Sequence, residues 1–191
     1  MAVLPIRITG DPVLHSPAAP VTAFDDDFQQ LVADMFETVA LAPGVGLAAP
    51  QVGVGKRVFV YAWTDEDGTA WRGVAANPTL WISPAVPESQ QELDEDDESE
   101  GCLSIPGERF PLRRAASAIL RAQDEHGTEF ELEAHGWLAR IFQHEYDHLD
   151  GVLYADRLTH PHAKQVAKAI RKRSWGGPGQ QWLPGRDHPE G

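Results

Sequence analysis

His144, Glu145 and His148 are the residues in this chain best placed to do chemistry. Two histidines four residues apart fall on one face of an α-helix, where both imidazoles can reach a single metal ion. Glu145 follows the first histidine and lies one position round, close enough to the open side of such an ion to move a proton. This is the His-Glu-x-x-His arrangement of metal-dependent hydrolases.

Two histidines need a third protein ligand if one coordination position is to stay open for water. Tyr154 occupies the place where one class of metalloprotease has a histidine, six residues after His148. Another class takes a downstream glutamate, and here only Glu190 follows Glu145. Asp150 and Asp156 remain as candidates but fit neither pattern. Cys102, the only cysteine, is the better candidate, because a thiolate is a strong, soft ligand for Zn²⁺ or Fe²⁺. One thiol excludes an internal disulfide framework.

The elements that must position these residues can be read from periodicity. Trp137, Ile141, His144 and His148 share one face of a helix over 136–150, with Leu138, Phe142, Glu145 and Leu149 on the neighbouring stripe and Gly151 closing it. An earlier amphipathic helix starts at Asp25-Asp26-Asp27, suited to the positive end of its dipole, and ends near Ala42. Asp11 caps a short helix entered through Pro12. Between the two long helices lie β-type runs. Residues 57–63 form one strand and 74–82 another, interrupted at Asn77-Pro78 as an edge or a bulge. Residues 115–123 and 128–133 form a hairpin turning at 124–127. Gly44 to Gln51 is a glycine-rich, small-residue stretch that either makes a buried turn or brings backbone close to something else. Gln51 carries an amide able to donate to an oxyanion. Cys102 sits in a tight turn flanked by Gly101 and Pro106.

Composition sets the frame. The 191 residues suffice for one domain with a sizeable core, and 42% hydrophobic with 24% charged residues reads as ordinary globular. A net charge of −13 argues against DNA and general nucleic-acid binding. The chain shows neither a signal peptide pattern nor an apolar run long enough for a membrane, so a cytoplasmic enzyme is expected. Residues 87–99 are an acidic surface loop by composition, and a last helix over 161–173 carries Lys164, Lys168, Arg171, Lys172 and Arg173. One domain over 1–173 is expected, followed by an extended Gly/Pro-rich extension over 174–191.

Three segments together resemble the peptide deformylase family. Its Gly-Φ-Gly-Leu-Ala-Ala-x-Gln motif, with Φ apolar, is matched by Gly44 to Gln51. Its Glu-Gly-Cys-Leu-Ser is matched by Glu100 to Ser104, and its Gln-His-Glu-x-x-His-Leu-x-Gly by Gln143 to Gly151. The resemblance covers about residues 3 to 172 and implies an α+β fold, with antiparallel or mixed sheets packed around the metal-bearing helix. It implies removal of the N-formyl group from formylmethionine on nascent chains, releasing formate. Cys102, His144 and His148 would hold a divalent ion, typically Fe²⁺, with Zn²⁺, Ni²⁺ or Co²⁺ as substitutes. Water activated at the ion would attack the formyl carbon, with Glu145 as general base and then acid, and Gln51 and the Leu103 N–H stabilising the oxyanion. Glu100 would orient the site, with Arg114 as its partner, or both would be surface charge. Val45, Trp137 and Ile141 would wall the methionine pocket, and Gly46 and Arg109 would contact the peptide backbone. The competing readings are a metallopeptidase and a catalytically silent protein that binds nascent chains or the ribosome. The basic stretch 164–173 could touch the ribosome in either case, or be a plain amphipathic helix.

Overall fold

The computed structural model describes residues 1–84 and 98–189. In chain order the elements are β1 (Ile6–Arg7), α1 (Asp26–Leu41), β2 (Gly46–Ala48), β3 (Val58–Thr64), β4 (Ala70–Ile82), β5 (Ser99–Cys102), β6 (Ile105–Pro111), β7 (Ser117–Gln123), β8 (Glu129–His135), α2 (Gly136–Leu149), α3 (Tyr154–Arg157), α4 (His162–Lys172) and β9 (Gln181–Trp182). Single 3₁₀ turns lie at Pro12–His15 and Ala49–Val52.

Five strands form one antiparallel sheet in the order β2-β3-β4-β7-β8. The reason it lies between two helices is written in β3, whose neighbouring side chains point to opposite faces. Val58 and Val60 pack with Phe28, Val32 and Met35 of α1. Phe59 and Tyr61 pack with Leu138, Phe142 and Leu149 of α2. The Phe142 ring stands edge-on to Tyr61 with centroids 5.0 Å apart. A third cluster gathers Cys102, Ile105 and Leu112 of the β5–β6 region with Leu153, Tyr154 and Val166. The expected α+β architecture, with antiparallel sheets around the helix of the histidines, is what the chain adopts.

Asp25 caps α1 through a side-chain oxygen that accepts from Phe28 N at 3.0 Å, with Asp26 and Asp27 in the first turn. At the end of α2 the capping residue is Asp150, and Gly151 takes φ +75°, one residue beyond. A Cβ at Gly151 would lie 2.7 Å from Ser16 N, so glycine is required there on two counts. The interruption at Asn77-Pro78 is a bulge within an interior strand rather than a sheet edge, since β4 is paired on both sides. Asn77 adopts φ +50° and its amide bonds Val21 and Gln123.

Several expectations are corrected. Gly44 to Gln51 is not a simple turn: its middle is strand β2, and its end is a 3₁₀ turn. Strand β4 begins at Ala70, earlier than residue 74, because the turn at residues 65–68 lets the two strands pair from Thr64↔Ala70 onward. Helix α3 was not anticipated. Trp137 does not share the burial of the rest of its helix face and is 40% exposed. The segment from Ser174 does not extend away: β9 pairs antiparallel with β1, and Trp182 is buried in the α1 core. A polar, Gly/Pro-rich composition concealed that single anchoring tryptophan. The acidic loop expected over 87–99 lies outside the described residues except at its last positions, where Ser99 already belongs to β5. Among the described residues no helix is long and apolar enough to cross a membrane.

Candidate metal centre and active site

Helix α2 carries His144, Glu145 and His148, and the β5–β6 hairpin brings Cys102 to them. The ligating atoms of Cys102, His144 and His148 all lie within 4.8 Å of one another. His148 Nε2 stands 3.2 Å from His144 Nε2 and 3.4 Å from Cys102 Sγ. Tetrahedral coordination at ordinary Zn–N and Zn–S bond lengths sets two nitrogens roughly 3.3 Å apart and nitrogen and sulfur about 3.6 Å apart. Two ring nitrogens and a sulfur gathered this closely could share one cation. These residues therefore fit a divalent ion with an open fourth position. The rival third ligands are engaged elsewhere. Asp150 pairs with Arg57 at 2.7 Å, Asp156 accepts from Leu153 N at 2.9 Å, and the Tyr154 hydroxyl donates to Glu108 O at 2.8 Å.

The histidine orientation is set by a buried charge network. His144 Nδ1 lies 2.7 Å from Glu100 Oε1, which leaves Nε2 for the ion. Glu100 also receives Arg114 through Nη2 at 2.6 Å and Nε at 3.1 Å, and Arg140 Nη1 at 3.1 Å. Arg114 continues to Asp147 at 2.6 Å, and Asp147 in turn pairs with Arg157. Burial pushes the Glu100 carboxyl up, but the hydrogen bond from His144 and the Arg114 guanidinium outweigh it and hold the group well below the usual carboxylate range. Burial likewise opposes a charged His144. Its bonds to Cys102 and Glu100 overcome that and hold the imidazole well above its ordinary value. His148, with no carboxylate partner, is driven well below its ordinary value by burial and by the neighbouring His144. Of the expected pair, Glu100 and Arg114 are thus buried and bonded to each other, not surface charge. Arg140 and Asp147 were missed by sequence reasoning; the available signal was their place on the same helix as His144 and His148.

Glu145 is 4% exposed, and its Oε2 has no hydrogen-bond partner. Burial pushes its carboxyl up to about 7. It rests against Gly46 of β2, where a Cβ would lie 2.4 Å from Oε1. The close backbone approach expected of the glycine-rich stretch is this contact. Gln51 Oε1 accepts from Ala48 N at 2.8 Å, which turns the amide nitrogen towards Cys102 Sγ at 3.7 Å and Ser104 Oγ at 3.4 Å.

A cleft of about 560 Å³ opens over these groups. Val45, Gly46, Gln51, Glu100, Cys102, Leu103, Arg109, Trp137, Ile141, His144 and Glu145 all line it. His148 is buried and does not line the cleft. Trp63, Glu66 and Arg140 also line the wall and were not singled out from sequence.

An open His₂Cys cluster, a buried carboxylate beside it and an amide aimed into the same cleft define a metal-dependent hydrolase. A profile of the polypeptide deformylase family matches residues 3–164. The chain is 50% identical over 190 residues to a peptide deformylase of Tropheryma whipplei, covering 95% of this chain and 94% of the relative. It is 50% identical over 192 residues to one of Mycolicibacterium paratuberculosis, covering 97% and 96%. The crystal structure of peptide deformylase from Thermus thermophilus superposes with a TM-score of 0.72 at 41% identity, covering 89% of this chain and 94% of that one. The chain belongs to the polypeptide deformylase family.

Two outcomes are expected of the site itself. In metal-free protein the Glu145 carboxyl is protonated below about pH 7 and loses its proton as pH rises through that value. A protonated-carboxyl infrared band, absent in Glu145→Gln, should therefore titrate there. Loading a divalent ion should move that titration to lower pH, since a nearby cation favours the carboxylate. Glu100→Gln should weaken zinc affinity by roughly 10–100-fold, read by competition with a chelating dye. It should also lower stability by about 3–5 kcal/mol in metal-free unfolding, because Arg114 and Arg140 lose a buried counter-charge.

Proposed function

We propose that the protein hydrolyses the formyl amide of N-formylmethionine at the start of newly made polypeptides, releasing formate. The observation that carries this reading is the buried Glu145 carboxyl, its Oε2 without a hydrogen-bond partner, lying against Gly46 beside a His₂Cys cluster. A divalent ion held by Cys102, His144 and His148, which we take to be Fe²⁺ in the cell with Zn²⁺, Ni²⁺ or Co²⁺ as substitutes, supplies Lewis-acid polarisation and a lowered pKa for water.

The protein's own groups do the rest. Glu145 accepts the proton of the attacking water and returns it to the amine nitrogen as the carbon–nitrogen bond breaks. Burial favours the protonated form of this carboxyl and a bound cation would favour the carboxylate, a balance suited to both duties. The Gln51 amide, its orientation fixed by Ala48 N, and the Leu103 backbone N–H would donate to the formyl oxygen as charge develops on it. Val45, Trp137 and Ile141 offer the apolar wall for an unbranched methionine side chain, while Gly46 and Arg109 lie where an extended peptide backbone would pass. A small formyl group and an apolar side chain match a cleft whose reacting groups are buried and whose outer wall, at Trp137, is half-exposed.

Such a substrate places the protein in the cytoplasm of a cell that starts translation with formylmethionine, within reach of ribosomes. On α4 Lys164, Lys168, Arg171 and Lys172 are all exposed, whereas Val166 is buried and Arg173, beyond the helix end, pairs with Glu108 at 3.5 Å. That basic face is suited to ribosomal RNA or acidic ribosomal protein.

Glu145→Gln should retain the metal, measured on anaerobically purified protein, and lose formate release from a formyl-Met peptide by at least roughly 10²-fold. Retained activity would remove Glu145 from its role. Co-sedimentation with ribosomes should weaken as salt rises, and reversing the charge of Lys164, Lys168 and Arg171 together should abolish it. Unchanged binding of that variant would exclude α4 as the contact.

A further inference from the structure

The turn that supplies Cys102 is held from behind by both chain ends. The Trp182 indole N–H donates to Leu103 O at 2.9 Å in a fully buried contact. On the other side of the same peptide unit, Ser104 N–H donates to Cys102 Sγ at 3.4 Å. The next carbonyl, Ser104 O, accepts from Thr9 N at 2.9 Å, and Thr9 O accepts from Gly176 N at 3.1 Å. Ile8 N bonds Gln180 O at 2.9 Å, extending the β1–β9 ribbon along this edge. The ribbon backbones pass so closely that a Cβ on Gly10 would fall 2.2 Å from the Gly176 carbonyl carbon.

We propose that Trp182 is a positioning residue for the metal centre: through the 103–104 peptide, its indole N–H orients and polarises the N–H that bonds the Cys102 sulfur. A peptide whose carbonyl accepts a hydrogen bond is a better donor at its own N–H, because the two groups polarise one another. The same bond fixes the plane of the peptide beside the Leu103 N–H, so the oxyanion donor and the sulfur ligand are set by one anchor. Partners that orient a ligand from outside the coordination sphere commonly tune metal affinity by roughly 10–100-fold. The Gly/Pro-rich segment after α4 thereby belongs to the working site, although it contributes no atom to the cleft. This assignment rests on Cys102 being a metal ligand.

The test compares wild type with Trp182→Phe, which keeps an apolar ring in the core and deletes the donor. Both are loaded with Co²⁺, and the sulfur-to-cobalt charge-transfer band is recorded together with the rate of metal loss to a chelator. Expected are a shifted band and roughly 10-fold faster loss in Trp182→Phe, with its circular dichroism unchanged. An identical band and loss rate would overturn the relay. Absence of any charge-transfer band in wild type would instead overturn Cys102 as a ligand, so the two failures are distinguishable. Should Trp182→Phe not fold, wild-type protein labelled at indole nitrogen decides the matter. The Trp182 indole resonance should shift on binding one equivalent of Zn²⁺ while that of Trp81, exposed near the end of β4, stays in place. A Trp182 resonance indifferent to zinc would overturn the proposal.

Discussion

One buried carboxylate governs the geometry of this protein. Glu100 sits where strand β5, helix α2 and the segment carrying Arg114 meet, and it answers to His144, Arg114 and Arg140 at once. Burying a charge is costly unless nearly every lone pair is used, and here the two oxygens are shared among three cationic or hydrogen-bonding partners. Because the partners come from different elements, the network does more than neutralise charge. It fixes the rotation of α2 relative to the β5–β6 hairpin, and that rotation decides whether two nitrogens and one sulfur meet at a point. Asp147 extends the same logic one turn further along α2, gripping Arg114 from the side facing α3.

A second constraint is the absence of a side chain. The Glu145 carboxyl can lie where it does because β2 offers bare backbone at Gly46. Tyr61, paired with Gly46 across the sheet, packs on Phe142 of the same helix. The strand that presents the glycine and the helix that presents the glutamate are thus locked together by an aromatic contact on one side of the sheet.

Much of this was legible in the sequence where a local rule applies. The spacing of His144 and His148, the three aspartates opening α1, and the β7–β8 hairpin each rest on short-range periodicity or capping, and each appears where expected. The three motifs around Gln51, Cys102 and His144 also converge on one cleft, which no single motif could establish. What escaped is what depends on distant pairing. Nothing local to Gly46-Leu47-Ala48 distinguishes a strand from a turn; its partner Phe59-Val60-Tyr61 does. Trp182 stands in a polar, glycine-rich surrounding that reads as loose chain, yet one indole fitting one carbonyl anchors it. The roles of Arg140 and Asp147 on α2 emerge only when their partners, distant in sequence, come into view.

Cys102 belongs to the core cluster built by the β5–β6 hairpin with α3 and α4, whereas the face of α2 below the histidines packs into the cluster under the five-stranded sheet. Its partner His148 lies 46 residues away along the chain. An ion at this site would therefore also be a cross-link between two core clusters of the molecule. It closes a long loop, as a disulfide would, and favours the native state in proportion to its free concentration over its dissociation constant. The cation that equips the cleft for hydrolysis would then also tie the two clusters together, so that its loss would weaken the contact between them along with the chemistry.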